Sequence, residues 1–544
     1  MRVLGTTNLP QMASRAWIVG FILLGVMSYA GCGETYRPVA QPIEGIQPSP
    51  AEAHSIFAVN TDGIGDSHRG NGSASDIDAS GDSVQGNLIV GTAPVHAALT
   101  PNGAALYVVN SAEDTVTANH PSAPTTVAAT VSLPPSPAAQ ITQVSGNGST
   151  ATYSYSGGTS LFLVGDTVYV AGCSTAGFNG VFTVSGASAT SFSVANSTAG
   201  ADNPEPPSAL AKIPNAVFAN TTDNNNMYVA AYGTNSVSVI NTNTNVVSVT
   251  IPVGAHPVSL AEIPNNQKVY VANHGSSAAA GSISVIDTAS GVVSKTLCLA
   301  GGSPCAFGPA PVWVTARSDG GQVFVLDANG TIYVIDTASD TVLNSSLSAG
   351  AGANFMFFDP NFSRLFVTNP IAGTLSIFDV AGPTPTTRPG TPIAISAASS
   401  SCATAVVPQS VTVLGDGTKA YVASYQLSAG TICTQASVID AGSGTLLKTI
   451  PLTQSTDTSA QTGCGSIGFR AFAASSGGGT NSRFKVYVSQ CDAGNIAVIN
   501  TYPVNNNPAD TYSGVQVSGP LSTFPPLTTG IPPSQNPVFL VGGP

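Results

Sequence analysis

Six cysteines stand in three sequence-adjacent pairs: Cys298 with Cys305, Cys402 with Cys433, and Cys464 with Cys491. Thiols so placed close into disulfides when the compartment is oxidising, which fits an exported chain. No C-x-x-C zinc pair and no C-x-x-C-H haem site occurs. A second cluster is acidic. Asp62, Asp66, Asp76 and Asp78 crowd one Gly-rich stretch with Asn71, and oxygen ligands in such a turn are what Ca²⁺ takes. Their spacing is not that of an EF-hand, and a solvated polar loop accounts for them too. Calcium at Asp62, Asp66 and Asp76 is therefore the metal reading, and no other cofactor is expected. His68, His256 and His274 come from separate stretches; a zinc or iron site would require them to converge.

Catalytic signatures are sparse. The chain has no G-x-S-x-G elbow, no P-loop and no H-E-x-x-H. Its one G-x-G-x-x-G, at Gly463–Gly468, precedes a strand, whereas a dinucleotide turn must open a helix. No carboxylate couple of the glycosidase kind can be placed from the sequence. Asn60, Asn110, Asn273, Asp327 and Asn369 recur at the ends of similar strands, which favours turn capping over catalysis. No catalytic residue is assigned.

Charged residues make up 8% of the 544, against roughly 25% in typical globular domains. Gly, Ser, Thr, Asn and Ala take their place, a composition for many short strands joined by polar turns. The net charge is −12 and no basic cluster is present. Nucleic acid is excluded as a partner on that ground, because phosphates must be met by positive charge.

The element that positions everything else is Lys268–Gly291, KVYVANHGSSAAAGSISVIDTASG, because variants of it return along most of the chain. β-formers run into Asn273; Ile283 and Val285 alternate with Ser282 and Ser284, the mark of a half-buried strand; and Asp287 opens a turn. An aromatic residue marks the first half of each unit, from Phe57, Tyr107, Tyr228 and Tyr270 to Phe324, Phe366, Tyr421 and Tyr487. Asp78, Asn119, Asn241, Asp287, Asp336, Asp379, Asp440 and Asn500 end the second halves. With an outer strand and an opening strand added, a unit holds four strands in about 40 residues, the size of a propeller blade.

Tyr270-Val271-Ala272-Asn273, Phe366-Val367-Thr368-Asn369, Ile286-Asp287-Thr288 and Ile335-Asp336-Thr337 resemble the repeats of the YVTN family of β-propellers. The likeness spans residues 54–133 and 211–544. It implies an all-β propeller, read as eight four-stranded blades with seven as the alternative. The chain begins with a second-type strand at Ser55–Asn60 and ends with a first-type strand at Asn536–Gly542. The two termini are thus expected to share one blade and leave no open sheet edge.

Residues 134–210 break the rhythm. Six short strand-like runs and Phe162, Tyr169, Phe178, Phe182 and Phe192 predict a small β-domain inserted between blades 2 and 3, with Gly200–Ser208 as its exit linker. Three long loops (Thr61–Ser75, His274–Gly281, Tyr425–Thr434), the inserted domain and the six cysteines fall on one face of the expected ring. Asp62, Asp66, His68, His256 and His274 are its candidate binding residues.

At the N-terminus, Arg2 and Arg15 precede the apolar run Ala16–Met27, which reads as a signal-peptide core over residues 1–31. Ala30-Gly31-Cys32 resembles a bacterial lipobox, although Tyr29 departs from its usual Leu-like residue; the alternative is ordinary signal cleavage near Ala30. The resemblance implies a lipid on Cys32, a Pro-rich tether over 32–53 and, with Gly33 beside the cysteine, an outer membrane or cell-surface destination. A periplasmic or secreted protein is the alternative. The functional expectation is a binding platform for a protein, glycan or small ligand, touching membrane through its lipid alone. The competing classes are a propeller enzyme (lactonase-like or quinoprotein-like) and a structural envelope protein.

Overall fold

The computed structural model describes residues 55–61, 72–79, 82–122, 126–204, 209–265, 267–302, 304–306, 308–398, 402, 404–457, 464–465, 468–475, 485–501, 511–515 and 536–542. The signal segment, Cys32, the tether, Asp62, Asp66, His68 and Asn71 lie outside them.

Eight small antiparallel sheets form a ring, an eight-bladed β-propeller. Blade 1 is built from both ends of the chain: Asn536–Gly542 is its inner strand, followed outward by Ser55–Thr61, Ser73–Asp78 and Ser83–Ile89. The inner strands of blades 2 to 8 begin at Pro94, Ala216, Pro257, Pro311, Phe355, Val407 and Ala471. Each touches the next around the ring, and Asn536–Gly542 touches both Ala471–Ser475 and Pro94–Leu99. Blade 6 departs slightly, since two short strands, Thr386–Thr387 and Ile393–Ala394, share its third strand.

Second strands are the most deeply buried. Val269, Tyr270, Val271 and Ala272 are fully covered, because sheet neighbours flank the strand on both edges and adjacent blades cover both faces. That geometry corrects one expectation. Ser282 and Ser284 of the third strand are also buried, and the alternation with Ile283 and Val285 does not mark a wet face. Asn273 Nδ2 donates to both serine hydroxyls, at 3.2 and 2.9 Å. Asn60 clasps Ser73 and Ser75 in the same way, and Asn110 clasps Thr115 and Thr117. Buried hydroxyls are tolerated because the clasp satisfies them. Asp327 and Asn369, by contrast, cap turns by accepting the amides of Thr331 and of Ile371 and Ala372.

The repeated tyrosines join blades. Tyr107 Oη donates to Asn245 Oδ1 (2.6 Å), Tyr270 Oη to Asp340 Oδ1 (2.5 Å) and Tyr487 Oη to Asp82 Oδ1 (2.9 Å). Each acceptor sits in the turn before the next blade's outer strand with a positive φ, 53°, 49° and 51°. Asn and Asp tolerate that backbone better than other non-glycine residues.

Residues between blades 2 and 3 form a second closed unit. Ala138–Asn147, Leu210–Lys212, Thr167–Ala171, Gly180–Ala187, Ser191–Ala195 and Thr150–Tyr155 pair in that order, and the last pairs back with the first, giving a six-stranded barrel. Tyr153, Phe162, Phe178 and Phe192 fill it, with Tyr153 stacked on Phe192 at 4.9 Å. Three expectations shift. Tyr169 leaves this core for the propeller; Ala199–Asp202, set in the exit linker, is a strand on Ala138–Asn147; and the last barrel strand runs to Lys212, past the expected boundary at 210. The expected Tyr425–Thr434 loop is also not a loop. Lys419–Ser428 and Thr431–Asp440 continue their ladder through it as a long hairpin.

Candidate functional site

Six inner strands carry the same irregularity. The ladder to the second strand slips by one residue at Val95, Val217, Val258, Val312, Gln409 and Val538. A bulge bends the strand and re-aims the side chain that follows. The residues that follow are His96, Phe218, Ser259, Trp313, Ser410 and Phe539.

Four of these, with Phe355 and Phe472 of the regular inner strands, make a closed circuit of rings. His96 lies 4.2 Å from Phe218 and 4.2 Å from Phe539; Phe218–Trp313 is 5.4 Å, Trp313–Phe355 4.8 Å, Phe355–Phe472 5.7 Å and Phe472–Phe539 4.4 Å. Rings at these separations attract beyond the area they bury. Blades 4 and 7 supply serine instead, and the circuit spans them. Ser259 Oγ accepts from Val314 N at 3.3 Å and Ser410 Oγ from Ala473 N at 2.9 Å, each amide belonging to the next inner strand. His96 Nδ1 accepts from Ala219 N at 3.4 Å in the same manner. The propeller channel is therefore floored with aromatic rings.

The barrel sits over that floor. Tyr169 Oη lies 2.5 Å from Ser111 Oγ, and its ring packs on Ala93. Lys212 Nζ meets Asp114 at 2.6 Å. Tyr232 hydrogen-bonds with Thr167 and stacks on His256 with centroids 4.2 Å apart and planes 10° from parallel. His256 Nε2 faces Asp166 Oδ1 of the barrel at 3.5 Å. Its other nitrogen, Nδ1, lies 2.9 Å from the Gly275 carbonyl, which can only accept, so Nδ1 carries a proton. Burial in this seam is the largest influence on both, pushing the Asp166 carboxyl up and the His256 imidazole down, while their mutual attraction works against each shift.

Between floor and roof lies a cavity of about 270 Å³. His96, Phe218, Trp313 and Phe469 form its floor, Val95, Val217 and Val258 part of its rim, and Thr167, Tyr169 and Tyr232 its roof. His96 borders this space half-buried, and desolvation by the surrounding protein drives its pKa down to about 3. It is neutral at ordinary pH. With Nδ1 accepting, its proton is on Nε2.

Of the residues singled out in the sequence, His256 and His274 do come together, linked by the His274 amide donating to the His256 carbonyl at 2.9 Å. His256 is buried in the seam and His274 is half-buried. Asp76 is not in the loop where the sequence set it. It lies inside Ser73–Asp78 opposite Phe57, and burial raises its pKa. Among the described residues no three His, Cys, Asp or Glu side chains converge as metal ligands. The channel aromatics were missed, although a signal was present. Pro94-Val95-His96, Pro257-Val258-Ser259, Pro311-Val312-Trp313 and Pro537-Val538-Phe539 align as one motif whose third residue faces the channel.

The three cysteine pairs are disulfides, Cys298–Cys305, Cys402–Cys433 and Cys464–Cys491, and all lie towards the barrel-bearing face. Arg470, beside the last of them, pairs with Asp492 at 3.0 Å and Asp457 at 3.2 Å and lies over the Tyr425 ring of the long hairpin. Cys173 is free and buried in the barrel, where burial raises its thiol pKa to about 12; such a thiol is inert.

No protein-family model and no curated protein matches the sequence. Among solved structures, apo AztD from Citrobacter koseri is similar over 90% of this chain and 98% of its own, at 12% identity and a TM-score of 0.46. Kuenenia stuttgartiensis hydrazine synthase is similar over 52% of this chain and 75% of that one, at 16% identity and a TM-score of 0.38. Likenesses this distant say nothing about activity, and the strand order of the chain itself carries the conclusion: it is an eight-bladed propeller whose channel mouth is roofed by an inserted barrel.

Proposed function

We propose that the chain is an exported binding module that engages its partner through the barrel-bearing face. One observation carries the reading: the barrel, three disulfides and the long hairpin all stiffen the same face. Pre-organised loops lose less entropy when they bind, so rigidity placed there favours recognition. Disulfides belong to an oxidising compartment, and no helix among the described residues is long and apolar enough to cross a membrane. The Ala30-Gly31-Cys32 sequence supports attachment through a lipid on Cys32, and the repeated tetrads support kinship with the YVTN propellers. A protein or glycan ligand at the rim and a small ligand at the channel mouth are both compatible with this face. A metal-dependent enzyme is the less supported reading, since the described ligand types do not converge.

The test is capture from cell-envelope extract by the full chain and by a chain whose residues 138–212 are replaced with a short Gly/Ser linker. Capture that is lost with the barrel supports the reading. Capture that is indifferent to the barrel, with the propeller shown to be folded, moves the partner elsewhere. Metal ions and radiolabelled palmitate serve as side tests of the enzyme reading and of Cys32.

A further inference from the structure

The cavity beneath the barrel has walls specific enough to name the chemistry it would accept. Its volume of about 270 Å³ falls just below the usual small-molecule sites, which run from about 300 to 1,000 Å³. That space holds one ring and little more. The floor is aromatic, with Trp313, Phe218 and Phe469 presenting ring surfaces, and a flat partner would gain stacking contacts there.

No carboxylate, ammonium or guanidinium is among the described residues that line the cavity. A charged ligand would shed its water and find no counter-charge, a cost that apolar walls do not return. The occupant is therefore uncharged.

One polar feature orients it. His96 is neutral, its Nδ1 is engaged by the Ala219 amide, and its Nε2–H has no partner among the described residues. The histidine lies between Phe218 and Phe539, so ring packing fixes where that donor sits. The half-buried histidine offers that donor at the cavity wall; a ligand without an acceptor would strip water from it and leave it unpaired, so a site built around it favours ligands that can satisfy it.

We propose that this cavity binds a small uncharged ring compound bearing a hydrogen-bond acceptor, which His96 Nε2–H receives while Trp313 and Phe218 stack on the ring. The proposal rests on the reading that the barrel-bearing face is the binding face, and it names one ligand class for it.

Full-length protein is titrated with acetophenone, toluene, benzoate and benzylammonium by calorimetry. Quenching of Trp313 is followed in parallel, with W313F subtracting the contribution of Trp17. Acetophenone is expected to bind at submillimolar concentration, with both charged analogues at least tenfold weaker and toluene weaker by several-fold. H96F keeps a ring in the circuit and removes the donor; it is expected to bring the affinity for acetophenone down to that for toluene. Benzoate or benzylammonium binding as well as acetophenone would overturn the proposal. So would an unchanged acetophenone affinity in folded H96F, or no binding of any probe up to its solubility limit. If H96F does not fold, the comparison of acetophenone with toluene on the unaltered protein decides the role of the acceptor. No macromolecule takes part, so a negative result here leaves the envelope-capture test standing, and the reverse holds too.

Discussion

Tyr487 donates its hydroxyl to Asp82 Oδ1 at 2.9 Å, joining the last blade to the first across 405 residues of sequence. Lys485 Nζ reaches the other carboxylate oxygen at 2.7 Å. The same relation holds Tyr270 and Lys268 to Asp340 in mid-ring. Hydrogen bonds to charged groups are worth about 1.5–3 kcal/mol. Y487F is expected to destabilise the protein by about 1–2 kcal/mol in urea unfolding. In a double-mutant cycle with D82A the two losses should not add, whereas additive losses would mean that the contact carries no coupling energy.

Removal of residues 536–544 deletes the inner strand of blade 1 and leaves Ser55–Thr61 as a bare edge. Unpaired strand edges recruit other chains. The truncated protein is expected to elute as aggregate in size-exclusion chromatography, and a monodisperse monomer with an unchanged melting temperature would contradict the shared blade.

The Cys402–Cys433 and Cys464–Cys491 bridges close loops of 31 and 27 residues, while Cys298–Cys305 closes one of 7. In the chain-entropy account the two long bridges contribute about 3–4 kcal/mol each and the short one about 2 kcal/mol. Paired Cys→Ala variants should follow that order in chemical denaturation. An equal effect from all three would favour local packing over loop closure.

Two desolvated groups give opposite pH dependence. Burial pushes the Glu262 carboxyl up to about 7, and its Oε1 has no hydrogen-bond partner. The native state therefore takes up this proton more readily than the unfolded chain. Stability rises as the pH falls from about 7 towards 4.5, and above 7 the full cost, on the order of 3 kcal/mol, is present. E262Q should raise stability at pH 8 and flatten that slope. His96 acts the other way. Its native pKa of about 3 means that the unfolded chain binds the proton first, so stability is intact above pH 6.5 and falls between 6.5 and 3. Urea midpoints at pH 8, 6 and 4 separate the two, and a pH slope unaltered in both E262Q and H96F would refute both assignments.

Asp166 and His256 hold the roof on the floor. D166N leaves a neutral amide beside His256 and removes the carboxylate that faces its Nε2. Amide hydrogen exchange at His274 and Gly275 is expected to quicken about tenfold, equivalent to about 1.4 kcal/mol of local opening, while exchange in the second strands stays as it was. Uniform acceleration everywhere would point to global destabilisation.

Much of the fold was legible because it repeats. An aromatic residue, an Asn or Asp and a turn recur eight times, and a pattern repeated that often survives local ambiguity. The cysteine pairing was legible from adjacency along the chain. What stayed hidden depends on contacts between distant segments. Nothing near Ser282 says that Asn273 will bury it, nothing near Tyr425 says that its ladder continues, and nothing near Tyr169 says that the ring will turn out of its own barrel. The channel rings sit one per strand at separations of tens to hundreds of residues, so only alignment of the opening strands places them on one circle. Asp62, Asp66 and His68 lie outside the described residues and keep their standing as sequence candidates.

The first of the described strands, Ser55–Thr61, finds its inner neighbour only when Asn536–Gly542 arrives. Throughout translation the circle lacks its final stave, and the aromatic circuit lacks Phe539. A chain of this design completes its channel only when its last described strand is in place, so a product cut short anywhere upstream leaves the circle open.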